Sequence, residues 1–128
     1  MSHVMVDTNA LIRFFGAPEH FVSSLGAYER IVISPIVAGE FRAGVNNTRR
    51  GRESRLAFEA FLENPFVDEV VVDSATGRYY AKIYQAMKRA GTPIPTNDIW
   101  IAASAIQHDC PLFTLDAHFK HIPGLKLV

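Results

Sequence analysis

Five short runs of apolar, largely β-branched residues set what this chain can fold into: Val4 to Val6, Ile31 to Ile33, Val70 to Val72, Leu112 to Thr114 and Leu125 to Val128. Helical patterns fill the intervals. Two of the runs, Ile31-Val32-Ile33 and Val70-Val71-Val72, lack any polar alternation, the pattern of strands covered on both faces of a parallel sheet. The alternation predicts repeated βαβ units, an α/β chain with a central parallel sheet of about five strands.

Helix signals agree. Ser34 before Pro35 reads as an N-cap with proline at N1, opening a helix that carries Glu40 and stops at Gly44. A longer helix runs from Asp73 or Ser74 to Ala90, with Tyr79, Ile83, Met87 and Ala90 at helical spacing and Gly91 and Pro93 beyond its end. After Pro93-Ile94-Pro95, Thr96 is placed as the cap of a third helix. Its body, Ile99 to Ile106, is apolar nearly all round and should be buried, with Asp98 in the first turn.

A chain of 128 residues that is 48% hydrophobic can supply one real core, so a single domain over residues 1–128 is expected. Zero formal charge excludes broad binding to nucleic acid through total charge, and any such contact must use a local patch. Cys110, the sole cysteine, rules out an internal disulfide framework and a Cys-rich zinc module, and it suits a reducing compartment. Residues before Asp7 are too few for a secretory leader, and no apolar stretch approaches the roughly 20 residues of a membrane span. A cytoplasmic location away from membranes is expected.

Four acids stand where an apolar run has just ended or a helix begins: Asp7, Glu40, Asp98 and Asp116. Open α/β sheets build their sites at such places. Each has an ordinary explanation alone. Asp7 can cap a helix starting near Ala10, Asp98 complements a helix dipole, Asp116 can cap a turn from Ala117, and Glu40 is a helical glutamate among Val37, Ala38, Phe41 and Ala43. Brought together, carboxylates repel, and a divalent cation compensates them. All-oxygen ligation favours Mg²⁺ or Mn²⁺ over zinc, and phosphodiester hydrolysis fits such a centre.

The residues around these acids resemble the PIN-domain nucleases, and among them the VapC-type ribonuclease toxins of toxin–antitoxin pairs. Val4-Met5-Val6-Asp7-Thr8-Asn9 resembles the family's first motif, and Glu40 holds the place of its helical glutamate. Asn97-Asp98-Ile99-Trp100-Ile101-Ala102-Ala103 resembles the third motif and Thr114-Leu115-Asp116-Ala117-His118-Phe119 the fourth. The likeness runs the whole length and implies a PIN-like three-layer α/β/α fold and metal-dependent endonucleolytic cleavage of RNA. On it, Asp7 and Asp98 are the principal ligands of Mg²⁺ or Mn²⁺. Glu40 and Asp116 complete the pocket, and Thr8, Asn9 and Thr114 orient the carboxylates. It also implies a homodimer and a cognate VapB-type antitoxin, in a larger assembly or not. The alternative is a catalytically silent PIN-like module that binds RNA or protein.

Other phosphate chemistries fit less well. A haloacid-dehalogenase-type phosphatase wants an aspartate where Asn9 stands, a receiver domain wants a lysine in a setting Lys126 lacks, and no P-loop or dinucleotide fingerprint occurs. For RNA, the candidates are Arg13 and the cluster Arg49, Arg50, Arg52 and Arg55, weighed against a solvated helix face flanked by Glu53 and Glu59. The face around Phe14, Phe15, Phe41, Phe58 and Phe61 is the candidate antitoxin surface. His118-x-x-His121 reads as a solvent-exposed pair before a metal pair, with His118 close to the pocket through Asp116.

Overall fold

The computed structural model describes residues 2–128. Its sheet has four parallel strands, β1 (His3–Val6), β2 (Arg30–Ile33), β3 (Val67–Glu69) and β4 (Leu112–Phe113), in the order β3-β2-β1-β4. Helices α1 (Thr8–Gly16) and α2 (Pro18–Leu25) join β1 to β2, and α3 (Pro35–Gly44) and α4 (Arg49–Leu62) join β2 to β3. Helices α5 (Ser74–Ala90) and α6 (Thr96–Gln107) lead to β4, and a 3-10 turn covers Ala117–His121. A two-residue connection cannot reverse a parallel neighbour, so helical crossovers fill these gaps. The centre of the sheet is buried, with Val4, Met5, Val6, Ile31, Val32, Ile33 and Leu112 in the core alongside Phe58, Ile99, Ile101 and Phe119, while the edge strand β3 buries Val67 and exposes Glu69.

Helix starts follow the capping chemistry. Ser34 Oγ accepts the Ile36 and Val37 N–H groups at 3.1 and 3.3 Å, and Pro35 takes N1 of α3. Asp73 and Thr76 form a capping box at α5, which ends on Gly91 with φ of +71°. At α6 the expectation is corrected: Thr96 is the first helical residue and not its cap. Pro95 precedes it and supplies no side-chain bond, but its carbonyl accepts the Ile99 N–H at 3.2 Å.

Two strand expectations also change. The third strand lies at Val67–Glu69, one step before the Val70-Val71-Val72 run, and Val71 is 66% exposed. β2 cannot follow further, because Ser34 and Pro35 turn it into α3. The Val70 N–H to the Ile33 carbonyl, at 3.0 Å, is thus the last rung between β2 and β3. The fifth strand at Leu125 to Val128 reduces to a single parallel bridge, Leu112 to Leu127. β4 offers only two residues before Thr114 leaves the ladder for the site described next. Among the described residues no helix is long and apolar enough to cross a membrane.

Candidate functional site

The site begins where β1 and β4 end side by side. The Asp7 N–H donates to the Phe113 carbonyl at 3.2 Å, so the residues that follow, Asp7 and Thr114, emerge together at the carboxyl edge of the sheet. Asp7 is 3% exposed. It caps α1 by accepting the Ala10 N–H at 2.9 Å, and its other oxygen accepts the Thr114 hydroxyl. Thr114 Oγ1 in turn accepts the Asp116 N–H at 2.9 Å, tying the fourth acid to the first.

The other two acids arrive on helices. Glu40, on α3, accepts the Thr8 hydroxyl at 2.6 Å and the Asn97 amide at 3.3 Å. Asn97 and Asp98 lie in the first turn of α6. Asp98 Oδ2 is 3.2 Å from His118 Nδ1, which also stands 3.3 Å from Asp116 Oδ1. One chain of contacts therefore runs Asp7, Thr114, Asp116, His118, Asp98, and a second runs from Thr8 through Glu40 to Asn97. The structure brings Asp7, Asp98, Asp116 and Glu40 together with Thr8 and Thr114. Asn9, exposed in the first turn of α1, is outside these contacts.

Electrostatics follow from the geometry. Burial, with the nearby Asp116 and Asp98 charges, pushes the Asp7 carboxyl above its usual range against the opposing bonds from Thr114 and Ala10. Burial also raises Asp98, with Asp116 and Glu40 adding to it and His118 working against it. Among the described residues, no Lys or Arg pairs with any of the four acids. The ion pairs of Arg30, Arg42, Arg49 and Lys126 all lie elsewhere. Such a pocket gains from a cation, and one donor atom from each of Asp98, Asp116 and His118 lies within 4.8 Å of the other two. Oxygen donors backed by oriented hydroxyls suit a hard dication.

A model of the PIN domain matches residues 4–125. The chain belongs to the PIN-domain family. This PIN domain is 30% identical over 129 residues to the Ribonuclease VapC1 of Methanocaldococcus jannaschii, covering 98% of this chain and 87% of that protein. It is 34% identical over 110 residues to a Ribonuclease VapC1 of Rickettsia felis, covering 79% and 77%. In three dimensions it superposes on VapBC2 from Rickettsia felis, solved bound to a DNA fragment from its promoter, with a TM-score of 0.83 at 25% identity, covering 98% of this chain and 97% of that one. VapBC-1 from nontypeable Haemophilus influenzae gives 0.80 at 27%, covering 98% and 96%.

Two residues of this PIN domain to which the motifs assign no role contact the acids. Asn97 stands inside the third motif, and its amide donates to Glu40. His118, expected near the pocket from its closeness to Asp116, bridges Asp98 and Asp116. The available signal for both was adjacency, since each lies within two residues of a site acid. His121 shares the 3-10 turn and is exposed, outside the cluster.

The basic residues are distributed differently from the acids. Arg49 pairs with Glu53 at 3.2 Å and Arg52 donates to the Asn47 carbonyl at 2.6 Å, so both are engaged on α4. Arg50 lines a cleft with Ile12, Gly16, Phe41 and Val45. Arg13 is exposed on α1 and Arg55 half-buried on α4. Of the phenylalanines, Phe41 and Phe58 are core, with ring centroids 4.4 Å apart. Phe14, also buried, and the half-buried Phe15 and Phe61 line an apolar groove of about 370 Å³ with Leu11, Pro18, Phe21, Val22 and Phe66.

Proposed function

We propose that this chain is an endoribonuclease toxin of a toxin–antitoxin pair that uses Mg²⁺ or Mn²⁺ at its acidic site. The observation that carries the reading is the gathering of four carboxylates at one edge of the sheet, Asp7, Asp116 and Asp98 linked through Thr114 and His118 and Glu40 held beside them by Thr8 and Asn97, with no Lys or Arg counter-charge among the described residues. The relatives named Ribonuclease VapC1 support the same class of substrate. When bound, the dication lowers the pKa of water and offsets charge on the phosphoryl oxygens.

This chain's own residues do the holding and aiming. Asp7 and Asp98 are the principal ligands, being the buried and half-buried carboxylates that burial and neighbouring acids hold above their usual range and that a cation would compensate. Glu40 and Asp116 complete the anionic pocket. Thr114 and Thr8 fix carboxylate orientation by donating to Asp7 and Glu40, and Asn97 holds the second oxygen of Glu40. No side chain is needed as nucleophile. Arg50 and Arg13, which form no ion pair among the described residues, offer their charge to the RNA backbone.

The neighbours in three dimensions include VapBC assemblies, and we assign the antitoxin of this chain to the apolar groove between α1, α2 and α4, with a second copy of the chain completing a homodimer. The deciding measurement is cleavage of a structured RNA in Mg²⁺ or Mn²⁺ and in EDTA by the natural chain, Asp7→Asn and Asp98→Asn. Cleavage only by the natural chain with metal is expected, the variants losing at least about 100-fold. Equal cleavage in all arms would leave a binding module in place of an enzyme.

A further inference from the structure

We infer that His118 is itself a ligand of the cation held at Asp98 and Asp116, and that its nitrogen makes this site prefer Mn²⁺ to Mg²⁺. The inference rests on the metal-dependent reading above. Its basis is the position of one ring atom. His118 Nδ1 stands 3.2 Å from Asp98 Oδ2 and 3.3 Å from Asp116 Oδ1, aimed at both carboxylates at once.

Local structure holds the ring there. Asp116 caps the 3-10 turn by accepting the His118 backbone N–H on Oδ1 at 2.9 Å, and the His118 ring returns over the same capping carboxylate. Phe119, buried next to it, anchors the turn in the core. A donor set of two carboxylate oxygens and one imidazole nitrogen, each within 4.8 Å of the others, matches the spacing of ligands around one small dication.

The choice of metal follows from the donors. Mg²⁺ takes oxygen and keeps several waters, gaining little from an imidazole. Mn²⁺ accepts mixed carboxylate and histidine shells, as in di-manganese helical sites where Glu and His ligate together. Without the ring, the pocket would be all oxygen and would discriminate less between the two ions.

The test is calorimetric titration of Mn²⁺ and of Mg²⁺ into the natural chain, His118→Ala, His118→Gln and Asp98→Asn, with pulsed EPR of bound Mn²⁺ in ¹⁵N-labelled protein. The ring is about half exposed and the backbone N–H survives substitution, so the variants should fold, which thermal melting checks. His118→Ala is expected to lose about tenfold or more in Mn²⁺ affinity while Mg²⁺ affinity changes little, and the ¹⁵N coupling should vanish with the ring. An unchanged ratio of the two affinities, tighter binding of both ions, or no ¹⁵N coupling in the natural chain overturns the ligand role. Asp98→Asn separates the two failures. If it loses both metals while His118→Ala keeps the ratio, only the inference fails, and if it binds both as the natural chain does, the metal reading fails and takes the inference with it.

Discussion

Asp7 carries three tasks in one side chain: it ends β1, caps α1 and sits buried among like charges. Its raised pKa makes stability depend on pH in a definite direction. A carboxyl whose pKa is higher in the folded state contributes stability below its unfolded value and loses it as pH rises through the folded value. At pH 7 without divalent cation, the charged Asp7 is therefore a cost. Asp7→Asn keeps an oxygen for the Ala10 N–H and should melt at a higher temperature than the natural chain in EDTA at pH 7. That gap should close as pH falls through the carboxylate range, and a gap that widened instead would contradict the burial argument. Added Mn²⁺ should stabilise the natural chain more than the variant. Thr114→Val tests the neighbour: it removes the donor to Asp7 and the acceptor for Asp116 N–H. Metal affinity should fall by about 10- to 100-fold with the fold intact.

At the scale of elements, α3 and α4 deserve direct tests because they bring Glu40 and the basic residues into position. Ser34 is fully buried and accepts two N–H groups at the start of α3. Ser34→Ala leaves both without that partner and should cost about 1–2 kcal/mol in urea unfolding. Gly51 on α4 faces the preceding loop so closely that a Cβ would stand 2.0 Å from the Asn46 carbonyl oxygen. Backbone cannot yield as a flexible side chain does, so Gly51→Ala should cost about 1–3 kcal/mol. A neutral result would mean that the α3–α4 loop adapts, and with it the setting of Arg50.

The whole molecule presents two separate surfaces, an acidic site at one edge of the sheet and an apolar groove between helices. Val22 is 70% exposed on the groove, so Val22→Glu should leave the melting temperature unchanged and weaken a groove-binding antitoxin at least about tenfold. Undiminished binding would move the antitoxin elsewhere. For RNA, the salt dependence of binding separates engaged from free arginines. Replacing Arg50 or Arg13 with Gln should reduce the salt slope by about 0.7 per lost phosphate contact, and replacing Arg49 or Arg52, which already have partners, should change it less.

What was legible in the sequence was local. The β-branched runs, the Ser34-Pro35 and Asp73 helix starts, the stop at Gly91 and the capping positions of Asp7 and Asp116 all follow from patterns and bonds within a few residues along the chain. Tertiary structure decided whatever required distant partners. Val70-Val71-Val72 looks like a covered strand, but β2 ends too soon to pair with it. Leu125 to Val128 becomes one bridge because β4 is short. Phe41 and Phe58 have the same composition as Phe15 and Phe61, yet packing buries one pair and leaves the other on a groove. Sequence pattern alone named the four acids; the contacts across 20 and 57 residues that set His118 on Asp98 and Asn97 on Glu40 exist only once the sheet has brought β1, α3, α6 and β4 to one edge.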